Sequence, residues 1–193
     1  MTGRLRLFVA AEVPREQRDH IARVLEPWRE RLPGARWTDP AAQHVTLKFL
    51  GSAAAEDLAR ITGAAAAAAA ACTPGAARLG GFGAFPRADR MRVLWIGIDE
   101  PTSVLSGVAA AMDAALAPLG FEPEPRAYLP HVTLARLRAP VPLPRDLLDL
   151  PPVDLPAFGI AEIVLYRSHL SPKGARYEAL ASLPVGTSGV DAG

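Results

Sequence analysis

His-Val-Thr-Leu occurs twice in this chain, as His44-Val45-Thr46-Leu47 and as His131-Val132-Thr133-Leu134, 87 residues apart. The repeat constrains the fold more than any other feature, because it gives one copy to each half of the chain. A His-x-Thr spacing suits a β-strand: side chains alternate at period two, so His and Thr share one face while Val and Leu anchor the other. Two such strands brought together would gather two imidazoles and two hydroxyls around one pocket. That set supplies an acid, a base and two neutral hydrogen-bond donors, a sensible kit for acid–base chemistry on a phosphodiester. A single His-x-Thr is ordinarily a half-buried histidine beside a hydrogen-bonded neighbour. The chain has only four histidines, and two of them sharing this spacing, with matching Val and Leu, favours the catalytic reading.

At 193 residues the chain can bury a full core, as one domain or two tightly joined lobes. Its hydrophobic half and charged fifth are ordinary for a soluble globular protein. A net charge of +1 means that no global field recruits nucleic acid, so any RNA contact must be local. Lys48 and Lys173 are the only lysines; in a chain so rich in Ala, Pro and Gly, the arginine bias reflects genome composition before phosphate binding. Cys72 is the single cysteine, which excludes an intramolecular disulfide and a thiolate metal cluster within the chain. The opening apolar run is cut by Glu12, too short for a signal peptide, and no apolar run reaches membrane-spanning length. A soluble, cytoplasmic, monomeric protein without membrane contact is expected.

Leu5, Leu7 and Val9 alternate as an opening strand, and Ile21, Val24, Leu25 and Trp28 repeat at helical spacing after Pro14. Pro27 is expected to kink or divide that helix, and Pro33-Gly34 to end it. Arg36 to Thr38 reads as a short strand before the first motif. Ser52 is expected to cap a helix reaching about Cys72 through the eight alanines Ala64 to Ala71. Gly80 to Phe85 and Arg92 to Ile98 read as strands, and Thr102 as the cap of a helix running to Leu119 with Gly120 as its stop. A loop from Pro123 to Pro130 leads into the second motif. A Pro-rich connection from Pro140 to Pro152 holds one helical turn at Arg145 to Leu148. Ile160 to His169 and Arg176 to Leu183 form a hairpin around Ser171-Pro172-Lys173-Gly174. Residues 1–185 thus make one bilobal domain, followed by a disordered tail at 186–193. The order favours α+β, with two antiparallel sheets and flanking helices around a central cleft in a pseudo-two-fold duplication.

The paired motifs, with Arg6-Leu7-Phe8-Val9-Ala10, HVTLKFLG, VLWIGI, PHVTLAR and LYRSHLSPKGARYEAL, resemble the 2H phosphoesterase superfamily. Within it the chain is similar to the RNA 2′,3′-cyclic phosphodiesterases, also named 2′-5′ RNA ligases. The resemblance implies a bilobal α+β fold and RNA 3′ ends or nucleotides bearing a 2′,3′-cyclic phosphate as substrates. It implies His44 as proton donor to the leaving oxygen, His131 as the base that activates water, and Thr46 and Thr133 as holders of phosphate oxygens. The product is then a 2′-phosphomonoester, and the reverse reaction would form a 2′-5′ bond. No G-x-x-x-x-G-K-[ST] loop is present, in keeping with a reaction that needs no nucleotide cofactor.

Arg136 follows the second motif as the family's phosphate-contacting arginine does. Its parity relative to His131 and Thr133 is odd, so a bulge or twist must turn it into the cleft. Lys48 has the parity of His44 and Thr46 and is a candidate for phosphate contact. Phe8 and Tyr128 are candidates to stack on a base. His20, on an exposed helix, and His169, without a Thr two residues on, stay outside the site. A zinc hydrolase is the first rival; a third ligand at recognisable spacing and an H-E-x-x-H are both missing, so no metal and no cofactor are expected. Two further readings stay open: a 2H domain that binds nucleotides or RNA ends without turnover, and an enzyme for another small cyclic phosphate.

Overall fold

The opening alternation becomes β1 (Arg4–Glu12) in a computed structural model that describes residues 3–100, 103–151, 155–171 and 174–186. Helix α1 (Arg15–Arg31) follows and buries Ile21, Leu25 and Trp28. Burial of such side chains is worth about 1.5–3 kcal/mol each. Pro27 does not divide it. The proline lies on the exposed side between Leu25 and Trp28, so the carbonyl it leaves unbonded, that of Arg23, also lies on an exposed stretch. The short strand β2 (Ala35–Trp37) leads to β3 (His44–Ala54), which begins at the first motif histidine.

Ser52 is part of β3 and caps no helix. Gly51, with φ +70°, turns the strand locally and lets it continue to Ala54, and Ser52 Oγ accepts a hydrogen bond from Arg4 Nε at 2.6 Å on β1. The alanine-rich helix α2 therefore spans Leu58–Ala70. It is followed by β4 (Gly75–Phe85), β5 (Met91–Asp99) and α3 (Val104–Leu116), whose last turn tightens to Gly120. Thr102 lies outside the described residues. Glu100 meets the first turn of α3 instead, its carboxylate accepting from the backbone N–H groups of Leu105 and Ser106 and from the Ser106 hydroxyl. The second motif opens β6 (His131–Val141), which runs past Pro140. The helical turn α4 (Arg145–Leu148) sits where the sequence places it. A short β7 (Phe158–Ile160) precedes the hairpin β8 (Glu162–Ser171) and β9 (Gly174–Pro184). Pro172, Lys173 and the tail 187–193 fall outside the described residues.

Hydrogen bonding orders the strands β7-β4-β5-β6-β3-β1-β8-β9, with β2 attached to β6. The two expected sheets are thus continuous in one nine-stranded sheet, as its halves β6-β5-β4-β7 and β3-β1-β8-β9. They join at a seam between β3 and β6, where Val45 pairs with Val132. Both valines are fully buried, so the motif histidines and threonines occupy the opposite, cleft-facing side. Extending that antiparallel register sets His44 towards Thr133 and His131 towards Thr46. Helices α2 and α3 pack on each other, α2 against β9 and α3 against β3. Among the described residues no helix is long and apolar enough to cross a membrane.

Candidate active site

One β-bulge, made twice, decides which side chains reach the cleft. On β6, Trp95 pairs with Thr133 but Leu94 pairs with Ala135, so Leu134 is an extra residue. On β3, Ala10 pairs with Thr46 but Val9 pairs with Lys48, so Leu47 is extra. Each motif leucine is a bulge residue, and beyond it the parity of the strand reverses. Arg136 is thereby brought round to the face of His131 and Thr133, and it lines the cleft with them.

The same reversal turns Lys48 away. Its side chain is 4% exposed, and its Nζ donates to Asp113 Oδ1 on α3 at 2.5 Å and to the Glu122 carbonyl at 2.5 Å. It is a buried structural cation, not a phosphate ligand. Phe49 takes the cleft-facing place that the flat strand gave to Lys48. It is 51% exposed, and the Arg6 guanidinium lies 4.6 Å from its ring centroid.

The two histidines are held alike. Nδ1 of His44 lies 2.8 Å from the Ala42 carbonyl, and Nδ1 of His131 lies 2.7 Å from the Leu129 carbonyl. A carbonyl only accepts, so each Nδ1 carries hydrogen and donates, which leaves Nε2 as the nitrogen free to exchange a proton. Both imidazoles are pushed below their ordinary pKa, first by burial, with the backbone carbonyl acting in opposition. The charge of His131 lowers His44 further, and Arg136 lowers His131 further.

Aromatic rings back each imidazole. Phe8 lies 4.9 Å from His44 between centroids and Tyr177 lies 5.1 Å away edge-on. Phe85 and Trp95 stand 5.1 and 6.1 Å from His131. Phe8 is only 3% exposed, because Tyr166 and Tyr177 cover it as well. It supports His44 and has no open face for a base. Phe8 lines the cleft; Tyr128 does not: its hydroxyl donates to the Thr46 carbonyl at 3.0 Å, and its ring packs on the core. Opposite Trp95, only glycine is tolerated at position 83, since a Cβ there would come within 2.2 Å of the indole.

The cleft, of about 860 Å³, is lined by His44, Thr46, His131 and Thr133, with Arg6, Arg36, Arg136 and Arg176 around them. Sequence reasoning missed Phe49, Tyr177 and the arginines other than Arg136. The 87-residue offset that relates the motifs pairs Phe49 with Arg136, and was the available signal for Phe49.

The chain belongs to the 2H phosphoesterases, in the family described as LigT like Phosphoesterase, whose pattern matches residues 12–95 and again 96–177, one motif in each. It is 30% identical over 179 residues to an RNA 2′,3′-cyclic phosphodiesterase of Methanothermobacter thermautotrophicus, covering 90% of this chain and 95% of that one. A protein of the same name from Methanocaldococcus jannaschii is 31% identical, with 91% and 98% covered. Among solved structures, TT0787 of Thermus thermophilus superposes with a TM-score of 0.78 at 28% identity, over 94% of this chain and 98% of that one. Escherichia coli LigT complexed with 3′-AMP gives 0.77 at 25% identity, over 96% and 100%.

Proposed function

We propose that the protein hydrolyses the 2′,3′-cyclic phosphodiester at the end of an RNA or nucleotide to a 2′-phosphomonoester. The observation that carries this reading is the pair of motif histidines on adjoining strands, each with Nδ1 committed to a backbone carbonyl and Nε2 left for the cleft. Relatives named RNA 2′,3′-cyclic phosphodiesterase, matched over nine-tenths of this chain, support the same substrate class.

In the proposed step His131 Nε2 takes a proton from water as its oxygen attacks phosphorus. The bond from phosphorus to the 3′-oxygen breaks, and His44 Nε2–H gives that oxygen its proton. Thr46, Thr133 and Arg136 hold the non-bridging oxygens, where negative charge builds. Two neighbouring imidazoles that repel each other's charge favour one shared proton, and a bound phosphate anion draws that proton in. After one turnover the proton has passed to the other histidine, and exchange with solvent resets the pair. Phe49 offers an open ring face to a base.

The proposal includes a monomer acting in the cytoplasm without metal or nucleoside triphosphate. The metal-free part is supported by the lack, among the described residues, of any group of three or more His, Cys, Asp or Glu that could hold a metal ion. The test is a panel of 2′,3′-cyclic and 3′,5′-cyclic substrates, assayed after exhaustive chelation and without ATP or GTP, with the product phosphate located by NMR. Turnover of the 2′,3′-cyclic compounds to 2′-phosphates is expected. Turnover that vanishes on chelation and returns with zinc would overturn the metal-free mechanism.

A further inference from the structure

Each motif imidazole is oriented by the carbonyl two residues upstream, Ala42 for His44 and Leu129 for His131. The 87-residue offset that relates the motifs relates these two carbonyls as well. What holds each carbonyl in place is not repeated. Ala42 ends a 3₁₀ turn, Pro40–Ala42, that Asp39 caps. Asp39 Oδ1 accepts the Ala41 N–H at 2.8 Å, and the Asp39 carbonyl accepts the Ala42 N–H at 2.8 Å. The support for His44 is therefore built into the chain just before it.

Leu129 has no such turn. Residues 121–130 carry neither helix nor strand, residues 122–127 are exposed, and the Leu129 side chain is itself 46% exposed. Its carbonyl is held from both neighbours instead. On one side the Pro130 carbonyl accepts the Ile98 N–H of β5 at 2.9 Å. On the other, Tyr128 packs its ring on the core and donates its hydroxyl to the Thr46 carbonyl at 3.0 Å. The offset places Ala41 at the equivalent position of the first copy, with no side chain to make that reach. One hydrogen bond thus runs from the residue beside the orienting carbonyl of His131 to the threonine of the first motif.

We propose that Tyr128 is a positioning residue for the reaction. Its hydroxyl fixes the Leu129 carbonyl, which keeps hydrogen on His131 Nδ1 and leaves Nε2 for the cleft. The same bond ties that imidazole to the strand that carries His44. Tyr128 acts only through Leu129 and His131, since it lies outside the cleft wall. This rests on reading His131 as the base of the phosphodiesterase step.

The test is Tyr128→Phe, which removes the hydroxyl and keeps the ring. On a 2′,3′-cyclic substrate kcat should fall by about tenfold to a hundredfold, the cost of a misplaced reacting group, with KM nearly unchanged. A good leaving group at the 3′ position should not restore the rate, because the displaced group is the base. Imidazole ¹⁵N shifts provide a readout without turnover. In the wild-type protein both histidines should carry hydrogen on Nδ1; Tyr128→Phe should turn His131 into a mixture of tautomers and leave His44 as it was. Asp39→Ala is the control on the other motif. It should disturb His44 alone, and Asp39→Asn, which keeps an acceptor for the Ala41 N–H, should restore it. An unchanged kcat or an unchanged His131 signal in Tyr128→Phe would each overturn the proposal. Equal changes at both histidines, or loss of a cooperative melt, would make Tyr128 a structural residue and overturn it too. Failure of the wild-type protein on every cyclic substrate would overturn the phosphodiesterase reading, and the ¹⁵N signals would still judge whether Tyr128 holds the imidazole.

Discussion

The two motif strands share their sequence word, their bulge and the backbone bond that holds each imidazole, and they differ just beyond the bulge. On β3 the next two positions are a buried Lys48 and an exposed Phe49; on β6 they are a buried Ala135 and an exposed Arg136. A symmetric frame thus carries two unlike grips, an aromatic face on one side and a fixed cation on the other. In the proposed mechanism the duplicated part supplies proton transfer, which needs one imidazole as acid and one as base. In the same proposal the diverged part supplies orientation, since a nucleotide is apolar at one end and anionic at the other.

Removing the symmetric part should have the largest effect. His44→Ala and His131→Ala should each lower kcat by about 10²–10⁴-fold, and the double variant should lose far less than the product of the two. Initial rates on folded protein, checked by circular dichroism, measure this. A substrate with a good leaving group at the 3′ position separates the roles: His44→Ala should recover much of its rate and His131→Ala should not. The opposite rescue would exchange donor and acceptor.

The grips come next. Arg136→Gln should lower kcat/KM by about tenfold to a hundredfold, as expected for one charge-assisted contact to phosphate. Phe49→Ala should weaken binding of base-bearing ligands by about 1–3 kcal/mol and leave inorganic phosphate binding untouched, read by calorimetry. Equal losses for both ligands would count against a stacking role. Lys48→Met tests the buried side. It strands Asp113, and a loss of about 1–3 kcal/mol in urea unfolding is expected, recovered in part by adding Asp113→Leu.

The smallest expected effect is on pH dependence. Burial holds both imidazoles below about 6.5, so the kcat/KM optimum should lie on the acid side of that value, and the kcat profile should shift upward once an anion fills the cleft. For stability the sign is fixed by proton count. Below about pH 6.5 the unfolded chain binds more protons at these two histidines than the folded one, so stability falls as pH falls. Melting curves should show that slope, shallower in the His44→Ala/His131→Ala double variant.

The motif strands were legible because period two is written in the residues themselves, and so were α4 and the closing hairpin. What a strand's own sequence does not contain is the residue count of its partner. The bulges at Leu47 and Leu134 exist only as a mismatch with β1 and β5, so flat-strand parity placed Lys48 in the cleft and left Phe49 out. Arg136 was recovered only because the resemblance demanded a bulge. Ser52 had the chemistry of a helix cap, but Arg4 on the neighbouring strand claimed its hydroxyl. Phe8 and Tyr128 are aromatic for packing and for a backbone bond, reasons that composition does not separate from base stacking.

The strand order holds one more consequence. β4 follows β3 in the chain but lies in the sheet of β6, and β8 follows β6 but lies in the sheet of β3. Each lobe therefore contains two strands lent by the other half of the sequence, β4 and β5 beside β6 and β8 and β9 beside β1. It is the topology that two copies of a half-length chain would reach by exchanging their edges. Cut near residue 100, neither fragment would own a closed lobe. Each would expose the β-edge that its missing partner covers, so the two fragments should assemble with each other sooner than fold apart.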